Sequence, residues 1–144
     1  MFDEFVLTAS TADLSEEPAA REHADAVEYR MDLASDPLGQ LEAYDGELPL
    51  LVTNRASWEG GEAEGLGRYD ALSTAIGHEA VAAVDVELAA LRGTHPDAAE
   101  ESHAAALREA AREAGASVVA SVHDFESTPE PAALVDLLAD AASE

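Results

Sequence analysis

Two residue types are missing from this chain, cysteine and lysine. Without cysteine there is no disulfide framework, no thiolate metal site and no thiol nucleophile. Without lysine there is no side-chain amine that could form a Schiff base with a carbonyl compound. All seven basic residues are therefore arginines, and 31 Asp and Glu residues bring the formal net charge to −24.

This acidity excludes some partners and predicts an environment. A strongly negative protein repels nucleic acids and anionic membranes. It also destabilises its own folded state unless salt screens the charges. The composition therefore predicts a protein from the cytosol of a halophile. An acidic disordered tail is the alternative, but hydrophobic residues make up 47% of the chain and are spread along its length.

The chain also lacks long hydrophobic runs. No segment approaches the length of a membrane span, and the first five residues carry acid where a signal peptide needs base. A length of 144 residues suits one domain with a real core. We expect a cytoplasmic protein with a single α/β domain over residues 1–144.

Short apolar runs alternate with helical patterns along the chain. Predicted strands cover residues 4–8, 26–30, 49–53, 81–88 and 117–122. Predicted helices cover residues 16–24, 37–44, 67–80 and a segment ending before Gly115, with a last helix after Thr128. Parallel strands need crossovers of this length, so five βα units predict a parallel sheet. A doubly wound sheet fits five strands, whereas a barrel needs eight.

Two of these helices have patterns that predict their buried faces. In the third helix the expected buried stripe is Tyr69, Leu72, Ile76 and Ala80. The fourth begins at residues 94–97, which resemble a capping box, and ends at a glycine. Its expected buried stripe is Ala99, His103, Ala106, Leu107, Ala110 and Ala114.

Four of the predicted strands carry charged or ionisable residues at or just beyond their ends. In chain order these residues are Glu28, Arg30, Arg55, Asp85, Glu87 and His123. The carboxyl ends of parallel strands open onto one face, so residues far apart in sequence converge there. The pattern therefore predicts one site built from four segments.

The residue types suit proton transfer next to a carbonyl group. A histidine has a pKa near the working pH, so His123 is the best candidate base. The guanidinium fork of Arg30 or Arg55 can hold the oxygens of a carboxylate or hydroxyl-rich substrate. A carboxylate beside the histidine sets its tautomer and stabilises the imidazolium. Either Glu59 or Glu87 could take that part.

Each of these residues also has a purely structural interpretation. Glu28 and Arg30 lie two apart on a strand, so they could form an ion pair at the rim of the sheet. Arg55 could offset local acid. The Asp124 side chain could cap a turn that contains His123. The remaining histidines, His23, His78, His95 and His103, lie in no matching motif.

Neither a metal site nor a phosphate loop is expected. Asp85 and Glu87 look like an acid pair, but no histidine stands at ligand spacing. Gly60 and Gly61 lie in neither a Gly-Lys-Ser pattern nor the dinucleotide glycine spacing. The residues therefore give no reason to expect a cofactor.

Four motifs in order carry a family resemblance. They are EYRMD at residues 28–32, TNR at 53–55 with EGG at 59–61, VDVEL at 84–88, and SVHDF at 121–125 with Thr128-Pro129. Together they closely resemble the type I 3-dehydroquinate dehydratases of the shikimate pathway, and the resemblance extends from residue 4 to about residue 131. It implies a (β/α)8 barrel of the TIM type, of which about five βα units are present.

The resemblance also implies an activity and roles for residues. The family dehydrates 3-dehydroquinate to 3-dehydroshikimate through a Schiff base on lysine, without a cofactor. By resemblance, Glu28, Arg30 and Arg55 contact the substrate. His123 is the general acid and base, and Glu59 orients it.

The missing lysine is the main departure from the family. The family's lysine lies on a sixth strand, and further substrate contacts lie on the seventh and eighth. We therefore expect the chain to correspond to the amino-terminal five-eighths of such an enzyme and to be inactive alone. We also expect it to form a homodimer or to associate with a complementing C-terminal fragment. The alternative is a non-catalytic α/β domain that binds a small polyol acid.

Overall fold

In the computed structural model, residues 5–143 are described, and they contain one sheet of five parallel strands. The strands are β1 Thr8–Thr11, β2 Ala26–Arg30, β3 Leu50–Thr53, β4 Val81–Glu87 and β5 Ser117–Ser121. They lie in the order β1-β2-β3-β4-β5. A doubly wound sheet reverses its strand order at a switch point, whereas a barrel adds each strand on the same side. The observed order is therefore that of a barrel segment.

Helices occupy the connections between the strands and the segment after β5. They are α1 Glu17–Ala20, α2 Pro37–Glu42, α3 Gly67–Ala75, α4 Leu88–Leu91, α5 Ala98–Ala114 and α6 Pro131–Ala141, with 3₁₀ turns at Leu14–Glu16 and Ser57–Glu59. None of the helices among the described residues is long and apolar enough to cross a membrane.

The core lies between the helices and one face of the sheet. Val27 and Tyr29 of β2 are completely buried there, in one cluster with Leu72 of α3 and Leu107 of α5. Side chains alternate along a strand, so Glu28 and the last residue of β2 point to the opposite face. That face carries the polar residues of the candidate site.

Pairing with β2 decides where the first strand lies. We predicted it at residues 4–8, but β1 begins at Thr8, which pairs with Ala26; residue 4 lies outside the described residues. The apolar residue Leu7 lies just before the strand, where its N–H donates to the Asp25 carboxylate at 2.9 Å. The prediction was wrong because it followed hydrophobicity, whereas a strand extends over the residues that pair with its neighbour, here Thr8–Thr11 with β2.

Aspartate side chains begin two helical segments at places that the predictions missed. The segment predicted at residues 16–24 starts with a 3₁₀ turn capped by Asp13, and α1 ends at Ala20. Likewise, α5 is capped by Asp97, whose carboxylate accepts the Ala99 N–H at 2.9 Å. Thr94, predicted to begin that capping box, lies before the helix. A carboxylate two residues before a free N–H is an effective cap.

The buried face of α5 also differs from the prediction. Of the predicted stripe, only Leu107 is buried; the buried residues of the helix are Glu100, Ala104, Leu107 and Ala111. Alanine recurs on every side of this helix, so its periodicity does not define a face, and an ion pair with Arg68 buries Glu100. In α3 the prediction was better, because Tyr69 and Leu72 are buried, although the helix ends at Ala75.

Candidate active site at the carboxyl ends of the strands

A histidine and a glutamate from distant segments meet beyond the ends of β3 and β5. Nδ1 of His123 lies 2.9 Å from Oε1 of Glu59. An ionised carboxylate only accepts hydrogen bonds, so when Glu59 is ionised Nδ1 donates to it, and a neutral imidazole then keeps its lone pair on Nε2. The Glu59 side chain is 6% exposed and that of His123 is 28% exposed, so the imidazole lies between the buried carboxylate and solvent.

The environment of Glu59 suits a partner for an imidazolium ion. Burial raises the pKa of Glu59, the hydrogen bond to His123 opposes this shift, and nearby Glu87 adds to it. The negative charge of Glu59 is therefore costly until a positive group lies beside it. Protonation of His123 supplies that group.

Two glycines allow this pair to form. Gly60 ends the 3₁₀ turn at φ 80°, a left-handed conformation that favours glycine, and a Cβ there would collide with the Phe125 ring. A Cβ on Gly61 would collide with the backbone carbonyl of Arg55. The Phe125 ring is stacked with the His123 imidazole at 6.2 Å and an interplanar angle of 13°. The loop thus brings Glu59 close to the histidine without steric conflict.

Arg30 is held by an aspartate two residues along the chain. Its Nε and Nη2 atoms donate to the two oxygens of Asp32 at 2.9 and 2.6 Å. Burial alone would raise the pKa of Asp32. Hydrogen bonds from Arg30 and from backbone N–H groups outweigh this effect and hold the pKa below its usual value. The ion pair considered for Glu28 and Arg30 is formed instead between Arg30 and Asp32, and a two-point contact fixes the guanidinium plane.

Arg55 lies between two carboxylates but pairs fully with neither. Its Nη2 is 3.6 Å from Glu28 Oε1 and 3.9 Å from Asp85 Oδ1. The same Glu28 oxygen accepts the Thr53 hydroxyl at 3.0 Å. Nε of Arg55 is buried, and it has no hydrogen-bond partner among the described residues. Buried donors are normally paired, so this guanidinium has unused capacity for an acidic or hydroxylated ligand.

Asp85 is a buried acid on the same face. The Ser121 hydroxyl donates to its Oδ1 at 2.8 Å. Burial raises the pKa of Asp85 to about 6; the Ser121 hydrogen bond and Arg55 oppose this, while Glu87 and Glu28 add to it. Ser121 is the last residue of β5, the strand that leads to His123. Because Asp85 contacts both Ser121 and Arg55, it connects the part of the site that carries His123 with the part that carries Arg55.

Glu87, the second candidate partner for the histidine, does not contact it. Its oxygens accept the Ala56 N–H and the Arg68 guanidinium, both at 2.8 Å. Asp124 does cap a turn as considered, since its Oδ1 accepts the N–H groups of Glu126 and Ser127. His123 therefore lies directly before a turn that is capped by the Asp124 side chain.

Comparisons with known proteins show the family of this chain. A family model described as Type I 3-dehydroquinase matches residues 6–144. The chain belongs to this family. The 3-dehydroquinate dehydratase of Haloarcula marismortui is 57% identical over 138 residues, which cover 95% of this chain and 58% of that protein. The Halobacterium salinarum enzyme is 52% identical over 143 residues, covering 99% of this chain and 61% of that protein. This type I 3-dehydroquinase chain thus spans about three-fifths of their length.

Solved structures of family members have the same fold. The 3-dehydroquinate dehydratase from Enterococcus faecalis superposes with a TM-score of 0.74 at 26% identity, over 96% of this chain and 61% of that one. The enzyme from Geobacillus kaustophilus gives 0.75 at 24% identity, over 98% and 58%. The predicted barrel-type α/β fold is confirmed.

The relatives also bear on the charge. Haloarcula marismortui, Halobacterium salinarum and Haloquadratum walsbyi are halophilic archaea. The 3-dehydroquinate dehydratase of the last is 45% identical to this chain over an alignment of 151 positions, gaps included. The acidic composition had predicted a halophilic origin, and these relatives support it.

Sequence reasoning missed the residues that hold the site together. Asp32 stands in the first motif, and its spacing of two from Arg30 was a usable signal because such residues share a face of an extended chain. Arg68 lies within a helix, where nothing in its sequence context indicated that it is buried. Among the described residues, no group of three or more His, Asp or Glu side chains is arranged to hold a metal ion.

Proposed function

We propose that this chain supplies the general acid-base and part of the substrate site of a 3-dehydroquinate dehydratase. In this reaction 3-dehydroquinate loses one water to become 3-dehydroshikimate. The substrate ketone first condenses with a lysine amine. This condensation releases one water. His123 then takes a proton from the carbon next to the iminium carbon and returns a proton to the departing hydroxyl group, which leaves as a second water. Hydrolysis of the product iminium consumes one water, frees the lysine amine and releases 3-dehydroshikimate, so the net loss is one water.

The contact between His123 and Glu59 is the observation that carries this proposal. A base needs a free lone pair, and the hydrogen bond at Nδ1 leaves Nε2 free. The imidazolium formed after proton transfer is stabilised by the buried carboxylate of Glu59. A domain that merely binds a polyol acid has no need of this pair, so the geometry favours the enzyme over the non-catalytic alternative.

The substrate's oxygens have candidate partners on the same face. Arg55 has a buried and unpaired Nε, and the carboxylates around it are more than 3.5 Å away. Arg30 is fixed in orientation by Asp32. Glu28 can accept hydrogen bonds from substrate hydroxyl groups. These three residues orient the substrate against the base.

The Schiff-base amine has to come from outside these 144 residues, because the sequence contains no lysine. We propose that a second polypeptide segment supplies it and completes the barrel. In this arrangement β1 and β5 each pair with a strand of that segment, since among the described strands each has one neighbour only.

Complementation by a relative tests the proposal. The part of the Haloarcula marismortui dehydratase that lies outside the match is the natural probe, because the matched part is 57% identical to this chain. Mixed in molar KCl, the two polypeptides should together dehydrate 3-dehydroquinate. Borohydride reduction in the presence of substrate should add the substrate's mass to the added segment and leave the mass of this chain unchanged.

Each polypeptide alone is the control and should be inactive. A borohydride adduct on this chain alone would overturn the assigned mechanism, because its sequence offers no lysine. A complex that forms between the two segments yet neither traps substrate nor turns it over would instead favour the binding domain.

A further inference from the structure

The buried carboxylate of Glu87, at the end of β4, connects the loop of residues 54–61 to the helices behind the sheet. The Glu87 side chain is 1% exposed. Its Oε1 accepts the backbone N–H of Ala56 at 2.8 Å, and its Oε2 accepts Arg68 Nη1 at 2.8 Å. Both oxygens are thus used, and neither contacts His123.

Arg68 is itself held from several sides. Its Nη2 donates to Glu100 of α5 at 2.5 Å and to the Tyr69 hydroxyl at 2.7 Å. That hydroxyl donates in turn to Glu100 at 2.6 Å, and the guanidinium carbon lies 4.0 Å from the centre of the Tyr69 ring. Glu87 therefore sits in a position defined by both α3 and α5.

Stability alone is a weak explanation for this cluster. Two buried carboxylates share one guanidinium, and the cost of removing such charges from water offsets much of their attraction. Nε of Arg68 is also buried without a hydrogen-bond partner among the described residues. What the cluster does define is the position of one peptide group, the N–H of Ala56.

That peptide group lies between two residues of the proposed site. Ala56 directly follows Arg55, and it precedes by three residues Glu59, the partner of His123. Its carbonyl accepts the N–H groups of Glu59 and Gly61, both at 3.0 Å. A shift of the Ala56 peptide would therefore move both the arginine and the carboxylate.

We propose that Glu87, fixed by Arg68 and Glu100, is a positioning residue that holds the loop of residues 54–61 so that Glu59 meets His123. The expected effect of Glu87 on turnover rests on the proposed function, whereas the expected effect of Glu87 on the position of the loop does not. Glu87 acts through the loop and touches no reacting atom.

The chain contains a matched control for this test. Glu17 is also buried, accepts the backbone N–H groups of Glu47 and Leu48, and pairs with Arg21 at 2.7 Å. Glu87→Met and Glu17→Met both delete a carboxylate with backbone and arginine partners while roughly keeping side-chain volume. Glu87→Gln retains an oxygen that can accept the Ala56 N–H.

The first readout is the tautomer of His123 in the isolated chain. The two ring ¹⁵N signals lie far apart when Nδ1 is held protonated by Glu59, and they approach each other when the tautomers interchange. We expect them to approach each other in Glu87→Met and to stay apart in Glu17→Met. In Glu87→Gln, which keeps an acceptor for Ala56 but loses the charge that Arg68 binds, we expect them to move only part of the way. All samples are measured in molar KCl at an alkaline pH.

Fluorescence gives a second readout that needs no assignment. Trp58 is the one tryptophan of the sequence, and its ring lies 4.4 Å from that of His95 on the loop before α5. Emission should change in Glu87→Met and remain near the parent's in Glu17→Met. Both variants should lose thermal stability.

The possible outcomes separate the two proposals. If the parent chain already shows mixed tautomers, the His123–Glu59 pair of the proposed function is refuted. If the parent holds one tautomer and Glu87→Met holds it equally well, the positioning role is refuted. The positioning role is also refuted if Glu17→Met changes the His123 ring signals and the Trp58 emission as much as Glu87→Met does. Should Glu87→Met fail to fold, Glu87→Gln decides the question: tautomer signals and Trp58 emission that both equal those of the parent refute the positioning role of the Arg68-bound carboxylate, and a change in either one supports it.

Discussion

Nδ1 of His123 and Oε1 of Glu59 lie 2.9 Å apart although 64 residues separate them in sequence. One follows β5 and the other belongs to the 3₁₀ turn after β3, so the pair spans β4. A parallel sheet makes this possible because the loops after its strands all lie at the same end.

Replacing the histidine tests its role directly. In the complemented enzyme, His123→Ala should lower kcat by about 10² to 10⁴, the usual contribution of a positioned general acid-base. His23→Ala is the control, because His23 is exposed in the turn before β2. Full turnover by His123→Ala would show that another group acts as the base.

Salt should stabilise the fold. The net charge of −24 is screened over about 10 Å at 0.1 M salt and over about 3 Å at 1 M. The thermal midpoint should therefore rise steeply between 0.1 M and roughly 2 M KCl, because screening removes repulsion among the surface acids. A midpoint that does not change over this range would contradict a halophilic adaptation.

The isolated chain should associate. Among the described strands, β1 and β5 each have one neighbour, and unpaired edges invite pairing. Beyond β5 there are also exposed apolar side chains, namely Val122, Phe125, Leu134, Val135 and Leu138. Light scattering in molar KCl should show dimers or larger species, and the complementing segment should convert them to a one-to-one complex.

A pair of variants locates this association. Val135→Ser on α6 should weaken it, whereas Leu38→Ser on α2, where the leucine is also exposed, should leave it unchanged. A monomer in the parent chain would mean that the sheet is covered in some other way.

Asp85 should make the fold less stable as the pH rises. Its pKa is about 6 in the folded chain against 3.8 for an ordinary aspartate, so the folded state holds the proton more tightly. This contribution to stability is complete below about pH 4 and is lost as the pH rises through about 6. At about 1.4 kcal/mol per pKa unit, the loss amounts to about 3 kcal/mol.

Asp85→Asn removes that dependence. The free energy of unfolding of the variant minus that of the parent should increase between pH 4 and pH 7, as followed by chemical denaturation. Asp124→Asn is the control, because backbone hydrogen bonds lower the pKa of Asp124 and its trend should be the reverse. A difference for Asp85→Asn that does not vary with pH would show that the carboxyl group titrates normally.

The positions of strands and the types of chemical group could be predicted from local sequence. Both ends of Ala26–Arg30 were predicted correctly, because a short segment rich in apolar residues between polar turns is typical of a strand. The common location of Glu28, Arg55 and His123 could also be predicted, since the chain direction alone places strand ends at one end of a parallel sheet. Four ordered motifs then identified the family.

Which groups pair with which was decided by the tertiary structure. Chemistry left Glu59 and Glu87 open as partners of the histidine, and the fold brings Glu59 to it while Glu87 binds Arg68. The burial of Arg68 and Glu100 likewise arises where α3 and α5 meet behind β4. The net charge, the secondary-structure elements and the family motifs depend on composition and on residues close together in the chain, so the sequence by itself determined them. Side-chain pairing depends on register, loop geometry and desolvation, which exist only once distant segments have packed together.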